Sequence, residues 1–298
     1  MGIPPCEFNF SEDFVKRMLE SQCPQYASQN VSKFSSGWDN EMYRLGDQYI
    51  ARFPRREKAS QLILNEQKWL PFLKNLLDEK EGIILPVPIF IGSPENKYIW
   101  NWSVIKYIEG NTADQVKPDS SQIRTFVHFL KCLHQPAPSE APENIFRGVP
   151  LATREIDILP MIKRIESETN YYTHNIRAIW ERAKKAKISK DKKWIHGDLH
   201  PLNVLVNNGE IVSVIDWGDM TCGDPATDLV SIWMLFEKQK DRMLFNKAYG
   251  LDKNMLARAK GWAVYFAVVM LDTGLGDNEQ YAKIGIDTLE RLEEDCEL

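Results

Sequence analysis

The sequence lacks the features that mark disulfide-rich, zinc-binding or membrane-spanning proteins. Its five cysteines are odd in number and scattered, and no two form a Cys-x-x-Cys pair, so neither a disulfide framework nor a zinc cluster is expected. No apolar run approaches the roughly 20 residues of a transmembrane helix, and the first ten residues carry no signal peptide. These absences predict a cytoplasmic protein with reduced thiols and no membrane partner.

A large excess of one charge is also missing. The 37 basic and 42 acidic residues give a formal net charge of −5, which favours neither a nucleic acid nor a membrane surface as a partner. Two nucleotide-binding signatures are missing too: there is no Gly-x4-Gly-Lys-Ser/Thr, and Gly274-Leu275-Gly276 lacks the third glycine and the preceding strand of a dinucleotide fold. The charge balance favours a cationic or neutral small molecule as substrate.

The residues that are present change character near residue 109. Before that point, the turn signals Ser36-Gly37 and Gly46-Asp47 separate alternating segments that predict strands, and residues 58–77 have the apolar spacing of one long helix. We therefore expect an α+β fold with a sheet-rich domain in residues 1–109 and a mostly helical domain in residues 110–298. Helices are predicted in the second domain over residues 120–134, 154–187, 224–236, 240–249, 254–272 and 279–294.

One segment of the helical domain has a different pattern, the stretch WIHGDLHPLNVLVNNGEIVSVIDW at residues 194–217. Asn208-Gly209 lies between two apolar runs there, which is the strongest short-range signal for a β-hairpin. A two-residue turn folds the strands back on each other, so Asn203 and Asp216 are expected side by side. Asp198 would lie on the loop that leads into the first strand, close to both.

Two carboxylates and an amide oxygen in one place suggest a site for a hard cation. Magnesium takes oxygen ligands, usually one or two from the protein, which Asn203 and Asp216 could supply, and Asp198 could then accept a proton. The alternative is a zinc hydrolase site with His196, Asp198 and His200 at alternate positions, but the other histidines are poorly placed to complete it. A turn cap and a strand end would explain each residue alone, but not their joint spacing.

The spacing Asp-x4-Asn-x12-Asp resembles the catalytic loop and metal-binding segment of protein-kinase-like folds. With Ile215-Asp216-Trp217 in place of an Asp-Phe-Gly triplet, and Gly223-Asp224-Pro225 shortly after it, the segment is similar to the aminoglycoside phosphotransferase family in particular. The resemblance implies a two-lobed protein-kinase-like fold, with an antiparallel-sheet N-lobe that binds the nucleotide and a helical catalytic C-lobe. It also implies that Asp198 is the catalytic base and that Asn203 and Asp216 bind Mg²⁺. For Asp224 and Asp228 we expect a structural role, as a helix cap or part of a buried network.

The resemblance extends into the first lobe, where it assigns contacts to the nucleotide phosphates. Arg52 stands where kinase-like folds usually carry a lysine, and arginine can bind two phosphate oxygens at once. Glu66 matches the helix glutamate that pairs with that cation. Ser36 and Gly37 are similar to the loop that covers the nucleotide, where a glycine lets the backbone approach phosphate.

Residues 104–110 resemble the strand and hinge that join the lobes and present backbone groups to the purine. Those groups would come from Lys106 and Ile108. Because main-chain atoms make these contacts, the side chains do not distinguish ATP from GTP as the phosphoryl donor. The sequence leaves the oligomeric state open as well.

The acceptor is the least defined part of the predicted function. The resemblance implies transfer of the γ-phosphoryl group to a hydroxyl of an aminoglycoside-type or related antibiotic, and so a role in antibiotic resistance. The alternatives are a metabolite kinase with a choline-, sugar- or amino-sugar-like acceptor, or an inactive kinase-like module that only binds nucleotide. Candidate carboxylates for a polycationic acceptor are Glu166, Glu168, Asp219, Asp272, Asp277 and the acidic tail. Aromatic residues that could line an apolar pocket are Tyr171, Tyr172, Trp180, Trp217, Trp233, Trp262, Tyr265 and Phe266, although the spacing of the last three is more typical of core.

Overall fold

A computed structural model describes residues 5–77, 82–169, 174–188 and 192–295. These residues separate into two units. The first comprises the described part of residues 3–79 together with Ile84–Glu109, and the second is formed chiefly by the described part of residues 110–298. No helix within the described ranges is long and apolar enough to cross a membrane.

The first unit is built on a five-stranded antiparallel sheet with the strand order β1-β2-β3-β5-β4. Both predicted turn signals lie between its first three strands, and the predicted long helix is confirmed as α3. Phe53 and Trp102 stack in the core of the unit with ring centroids 4.8 Å apart. Its elements are α1 (Glu12–Gln22), α2 (Pro24–Ala27), β1 (Val31–Ser36), β2 (Asn40–Leu45), β3 (Tyr49–Pro54), α3 (Glu57–Leu76), β4 (Phe90–Gly92) and β5 (Trp102–Lys106).

The second unit is mostly helical, as the apolar spacing predicts, and two small sheets accompany its helices. The 25-residue helix α9 runs through its core and packs against α5, α6 and α10. The helices are α4 (Ile123–Leu133), α5 (Glu155–Glu168), α6 (His174–Lys185), α7 (Ser231–Leu235), α8 (Gln239–Tyr249), α9 (Lys253–Asp277) and α10 (Glu279–Glu294). The strands are β6 (Asn111–Thr112), β7 (Lys193–Ile195), β8 (Val204–Asn207), β9 (Glu210–Val214) and β10 (Thr221–Gly223).

Two of the predicted helices differ from the structure. The single helix predicted over residues 154–187 is wrong, because α5 ends where Thr169 adopts an extended backbone with φ −134° and ψ 169°. Helix resumes at α6, and residues 170–173 lie outside the described ranges. The helix predicted over residues 224–236 begins as a 3₁₀ turn, Pro225–Val230, before the short α7. Pro225 has no backbone N–H to donate, which suits the first position of such a turn.

The hairpin predicted around Asn208-Gly209 is confirmed. β8 and β9 pair antiparallel, with Val204 opposite Val214, and the two turn residues have φ of 50° and 82°. Positive φ at both central residues defines the type I′ turn, whose twist matches that of the flanking strands. The hairpin therefore returns the chain to the level of Asn203, at the edge of the candidate site.

Candidate active site

The β8–β9 hairpin brings Asn203 and the Ile215-Asp216 segment together. The Ile215 amide donates to the Asn203 carbonyl at 2.9 Å, which extends the β8–β9 ladder by one step. Asn203 also contacts the preceding loop, because its Nδ2 donates to the Asp198 carbonyl at 2.9 Å. Three residues from one continuous stretch of chain, Asp198, Asn203 and Asp216, are therefore gathered at one end of the hairpin.

Asp198 has basic partners at both carboxylate oxygens. Arg147 Nη2 donates to Oδ1 at 2.7 Å, and His200 Nε2 lies 3.2 Å from Oδ2. Burial by itself would raise the pKa of the Asp198 carboxyl, but His200 and the Arg147 guanidinium outweigh it and hold that pKa well below its usual range. The side chain remains 22% exposed, so a carboxylate that is ionised at neutral pH is open to a ligand.

His196 is committed to the loop. It is fully buried, its Nδ1 accepts from the Asp198 amide at 3.2 Å, and its Nε2 donates to the Ile215 carbonyl at 3.0 Å. Burial lowers the pKa of His196 and favours this neutral form. Within the described ranges, no three His, Cys, Asp or Glu side chains form a group that could hold a metal ion. Both ring nitrogens of His196 are used within the loop, so His196 cannot serve as a ligand of the alternative zinc site.

The loop backbone is held by Asp228, which is fully buried. Its carboxylate accepts from the amides of His196 and Gly197 at 2.7 and 2.8 Å, and from His134 Nε2 at 3.1 Å. Gly197 has φ 87°, and a Cβ there would lie 2.6 Å from the Asp219 carbonyl, so this position requires glycine. The buried-network role expected for Asp228 is confirmed, whereas its contact with His134 was not predicted from the sequence.

Asp224 has the other structural role that the sequence suggested. Its Oδ1 accepts from the Ala226 amide at 3.2 Å and so caps the 3₁₀ turn. The same carboxylate forms a two-point ion pair with Arg258, with N–O distances of 2.5 and 3.1 Å. The cap therefore also ties this turn to α9.

Asp216 has an unusual backbone. Its φ is +60°, a left-handed value that is uncommon for a residue with a Cβ and that occurs often at functional sites. The next residue, Trp217, is fully buried, and its Nε1 donates to the Val214 carbonyl at 2.8 Å. The indole anchors the chain just past β9, and the exposed Asp216 follows the end of that strand.

The donor set at the hairpin end fits a magnesium ion that is shared with substrate phosphates. Asn203 Nδ2 is occupied by the Asp198 carbonyl, so the amide offers its oxygen to a ligand, and Asp216 offers a carboxylate. Hard cations bind such oxygens, and Mg²⁺ usually takes only one or two of its ligands from protein. Asn203 and Asp216 therefore provide the kind of oxygen ligands that a magnesium site needs.

In the first unit, Arg52 and Glu66 pair as the resemblance implies. The guanidinium of β3 and the carboxylate of α3 form two hydrogen bonds, at 2.5 and 3.2 Å, and both side chains are buried. The pairing fixes the orientation of Arg52 and keeps a cation inside the unit. Each of the two residues has further interactions, so the pair belongs to a larger polar network.

Ser36, the last residue of β1, and Gly37, in the β1–β2 turn, are held by local hydrogen bonds. The Gly37 amide donates to the Asn40 carbonyl at 2.8 Å, and Ser36 Oγ donates to Glu41 Oε1 at 2.9 Å. Arg55 Nη1 donates to the Gly37 carbonyl at 2.8 Å. These bonds shape the turn from inside, so a phosphate contact would require neighbouring amides or a rearranged Ser36 hydroxyl.

The hinge residues lie where β5 ends. Lys106 is the last residue of that strand and pairs with Tyr49, whereas Ile108 lies in the irregular segment beyond it. Between them, the Tyr107 amide is used by the Gln48 carbonyl at 2.7 Å. Lys106 and Ile108 therefore lie on either side of a residue whose amide is already used.

Comparison with known proteins places this geometry in a family. The profile of the phosphotransferase enzyme family matches residues 30–262, a range that includes Arg52, Glu66 and the complete hairpin site. The chain belongs to the phosphotransferase enzyme family. The aminoglycoside phosphotransferase resemblance seen in the sequence is thereby confirmed.

Relatives of this phosphotransferase-family chain include characterised and uncharacterised proteins. The uncharacterised protein YcbJ of Bacillus subtilis (strain 168) is 25% identical over 254 residues, which cover 76% of this chain and 78% of YcbJ. An aminoglycoside 3'-phosphotransferase of Salmonella typhimurium is 28% identical over 183 residues, or 56% of this chain and 65% of that enzyme. The match therefore spans slightly less than two thirds of the named enzyme.

A solved structure shows the fold of the family. The GDP complex of wild-type aminoglycoside 2'-phosphotransferase-IIIa superposes with a TM-score of 0.68 at 18% identity, covering 96% of this chain and 100% of that one. The predicted α+β, protein-kinase-like fold is thereby confirmed. At this identity, the likeness concerns the fold alone.

The contact between Arg147 and Asp198 was not predicted from the sequence. Arg147 lies in the Pro-rich segment between α4 and α5, where Asn144 Oδ1 accepts from the amides of Phe146 and Arg147 at 2.8 and 3.1 Å. Asn144 Nδ2 in turn donates to Asp219 Oδ1 at 2.7 Å. The polar side chain of Asn144 two to three residues upstream is the one local signal for such a turn.

The carboxylates expected to line a polycation pocket mostly have basic partners. Arg177 pairs with Glu166 at 3.0 Å, while Arg164 contacts Glu168 at 3.2 Å and Asp272 at 3.4 Å. The candidate aromatics whose structure is described are buried: Trp180, Trp217, Trp233, Trp262, Tyr265 and Phe266. Tyr171, Tyr172 and the side chain of Asp277 lie outside the described residues.

Proposed function

We propose that the protein is a Mg²⁺-dependent small-molecule kinase that transfers the γ-phosphoryl group of ATP or GTP to a hydroxyl. The observation that carries the proposal is the gathering of Asp198, Asn203 and Asp216 by one hairpin. Membership of the phosphotransferase family supports the same class of chemistry.

Asp198 acts as the base in this proposal. The acceptor hydroxyl donates a hydrogen bond to the Asp198 carboxylate and passes its proton there as the new bond from acceptor oxygen to Pγ forms. The bond from Pγ to the bridging oxygen breaks, and the nucleoside diphosphate leaves with that electron pair. Because the transferring group is metaphosphate-like, orientation of the hydroxyl matters more than the strength of the base. The low pKa of Asp198 is compatible with this role.

The remaining residues bind the nucleotide. Asn203 and Asp216 would hold Mg²⁺, which supplies neutralisation of the phosphate charge when it is bound. Arg52, oriented by Glu66, contacts phosphate oxygens. The Ser36–Gly37 turn covers the phosphates, and backbone groups of Lys106 and Ile108 contact the purine, which leaves ATP and GTP equally suitable.

Two classes of acceptor compete. The aminoglycoside 3'-phosphotransferase among the relatives supports an aminoglycoside-type acceptor and a role in resistance. The Arg147 guanidinium on Asp198 favours the second candidate, a metabolite kinase, because a cation beside the base repels a polycation. Cytoplasmic location stays a prediction from cysteine usage.

The test is phosphoryl transfer across a panel of aminoglycosides, macrolides, choline, sugars, amino sugars and hydroxy acids, with ATP and GTP in parallel. We expect Mg²⁺-dependent formation of a phosphorylated product with at least one acceptor. Tight nucleotide binding without transfer to any member of the panel would instead identify an inactive nucleotide-binding module.

A further inference from the structure

The Arg147 guanidinium brings a positive charge to Asp198, and this bears on the acceptor if Asp198 is the base of the proposed function. An acceptor hydroxyl that reaches the Asp198 carboxylate must approach the groups that already contact it. One of these is the Arg147 guanidinium, with Nη2 2.7 Å from Oδ1. The other is His200, 3.2 Å from Oδ2. The acceptor is therefore bordered by basic side chains.

Arg147 is held firmly in this position. Its guanidinium carbon lies 4.7 Å from the centre of the Phe266 ring, a distance typical of cation–π contacts. The following residue, Gly148, has φ 67°, and a Cβ there would lie 2.8 Å from Gly223 Cα. Its carbonyl accepts from the Asp224 amide at 3.0 Å. A loop packed this tightly against β10 preorganises the guanidinium.

A second buried arginine lies in the same cluster. Arg154 is 8% exposed and its guanidinium carbon lies 5.1 Å from the centre of the Phe146 ring. Its Nη2 donates to the Thr153 carbonyl at 3.2 Å and lies 3.1 Å from Asp157 Oδ2. Among the described residues, its Nε and Nη1 have no hydrogen-bond partner, and neither has Nε of Arg147.

Tyr265 connects the two arginines. Its ring centroid lies 6.2 Å from that of Phe266, the ring against which Arg147 packs. Burial raises the pKa of the Tyr265 phenol, and the charges of Arg147 and Arg154, together with a hydrogen bond from Arg154, act against that increase. Buried donors are costly when they have no acceptor. Three such donor atoms on two cations beside a tyrosine are a favourable environment for an anionic group that can accept them.

We propose that Arg147, Arg154 and Tyr265 form an anion subsite beside Asp198, so that the acceptor is a hydroxylated molecule that carries a carboxylate or phosphate group. Arg154 supplies the unpartnered donors, and Arg147 borders both the anion and the reacting hydroxyl. An anionic acceptor differs from the cationic or neutral substrate that the net charge favoured, because overall charge does not report the local charge of a site.

Arginine Nε–H signals in NMR spectra test the subsite without turnover. The 298-residue chain, saturated with Mg²⁺ and a non-hydrolysable triphosphate, is titrated with acetate, inorganic phosphate and methylammonium. We expect saturable shifts of the Arg147 and Arg154 signals with at least one anion, and none with methylammonium. Arg177 of α6, which pairs with Glu166 of α5, is the internal control whose signal stays in place.

The two anions distinguish a carboxylate from a phosphate acceptor. Signals that stay in place with both anions, that shift alike for all arginines, or that respond to methylammonium would overturn the subsite. Because this titration needs no catalysis, its outcome is independent of whether the protein transfers phosphate.

Kinetics provide a second measurement with an anionic acceptor that supports transfer. Arg154→Gln should raise KM for that acceptor about tenfold and change kcat little, since charge-assisted hydrogen bonds are lost from binding. Arg154→Lys should restore part of the loss, and Arg177→Gln should match the wild type. An equal loss with an uncharged analogue of the same acceptor would contradict a role in anion binding.

Discussion

A single carboxylate, that of Asp228, supports the backbone of the loop that carries Asp198. It accepts from two successive amides, those of His196 and Gly197, and from the ring of His134. His134 itself lies 2.7 Å from the Tyr249 hydroxyl. These contacts join α4, α8 and the loop. They fix the loop backbone and so orient the side chain of Asp198.

Asp228→Asn should weaken this support. The amide places an N–H₂ group where an oxygen accepted hydrogen bonds, so one buried donor loses its acceptor, at a cost of about 1–3 kcal/mol. We expect the free energy of unfolding in urea to fall by that amount, and kcat to fall by about tenfold because the base is misplaced. Asp13→Asn on the exposed face of α1 is the control. Unchanged kcat in Asp228→Asn would show that the loop holds its shape without this carboxylate.

Thiol reactivity should separate two cysteines of the first unit. Cys23 is fully buried, and burial raises the pKa of its thiol to about 11, whereas Cys6 is exposed. Alkylation requires the thiolate, so at pH 8.5 iodoacetamide should label Cys6 well before Cys23, as measured by peptide mass spectrometry. The folded state favours the protonated Cys23, so this contribution to stability is complete below about pH 9 and is lost as the pH rises through about 11. Equal labelling rates in the folded protein would contradict the burial of Cys23.

At the scale of helices and strands, the sequence predicts those elements that are determined by residues close together in the chain. The Asn208-Gly209 turn is encoded by two adjacent residues that tolerate positive φ, and it is enough to place Asn203 beside the end of β9. The break at Thr169 has no comparable signal, since Ile165 and Glu166 continue the helical spacing up to it. The contact between Arg147 and Asp198 joins residues 51 positions apart in the chain, and only the packing of the whole unit determines it.

The packing of α8 against the end of α10 depends on one buried arginine. Arg242 is fully buried and contacts Asp295 through Nε at 3.0 Å and Nη2 at 2.9 Å. It also donates to the carbonyls of Phe236 and Glu237, and Trp233 Nε1 donates to Asp295 at 2.8 Å.

Arg242→Met should therefore destabilise the protein strongly. The substitution leaves the buried Asp295 carboxylate and two carbonyls without their cation, and removal of one partner from a buried ion pair costs about 3–5 kcal/mol. Chemical denaturation followed by circular dichroism gives the loss in free energy of unfolding. Arg177→Met, which removes an exposed ion pair on α6, should cost less than about 1 kcal/mol. Similar losses in the two variants would mean that the Arg242 network contributes little.

At the scale of the whole molecule, charge and composition limit the class of protein without locating its site. The net charge of −5 favours neither a nucleic acid nor a membrane surface as a partner, yet two arginines lie at the proposed acceptor position because three segments of chain meet there. The family and the α+β fold follow from motifs spread over most of the chain. The acceptor does not, because its proposed neighbours come from an irregular loop and from core positions of α9.

Steady-state kinetics of Asp198→Ala decide whether Asp198 is the base for phosphoryl transfer. With any acceptor that supports transfer, turnover should fall at least ~10²-fold, while calorimetry should show nearly unchanged affinity for the Mg²⁺–nucleotide complex. Asp13→Ala should retain the wild-type values. Ordinary turnover in Asp198→Ala would contradict the assignment, whatever the acceptor.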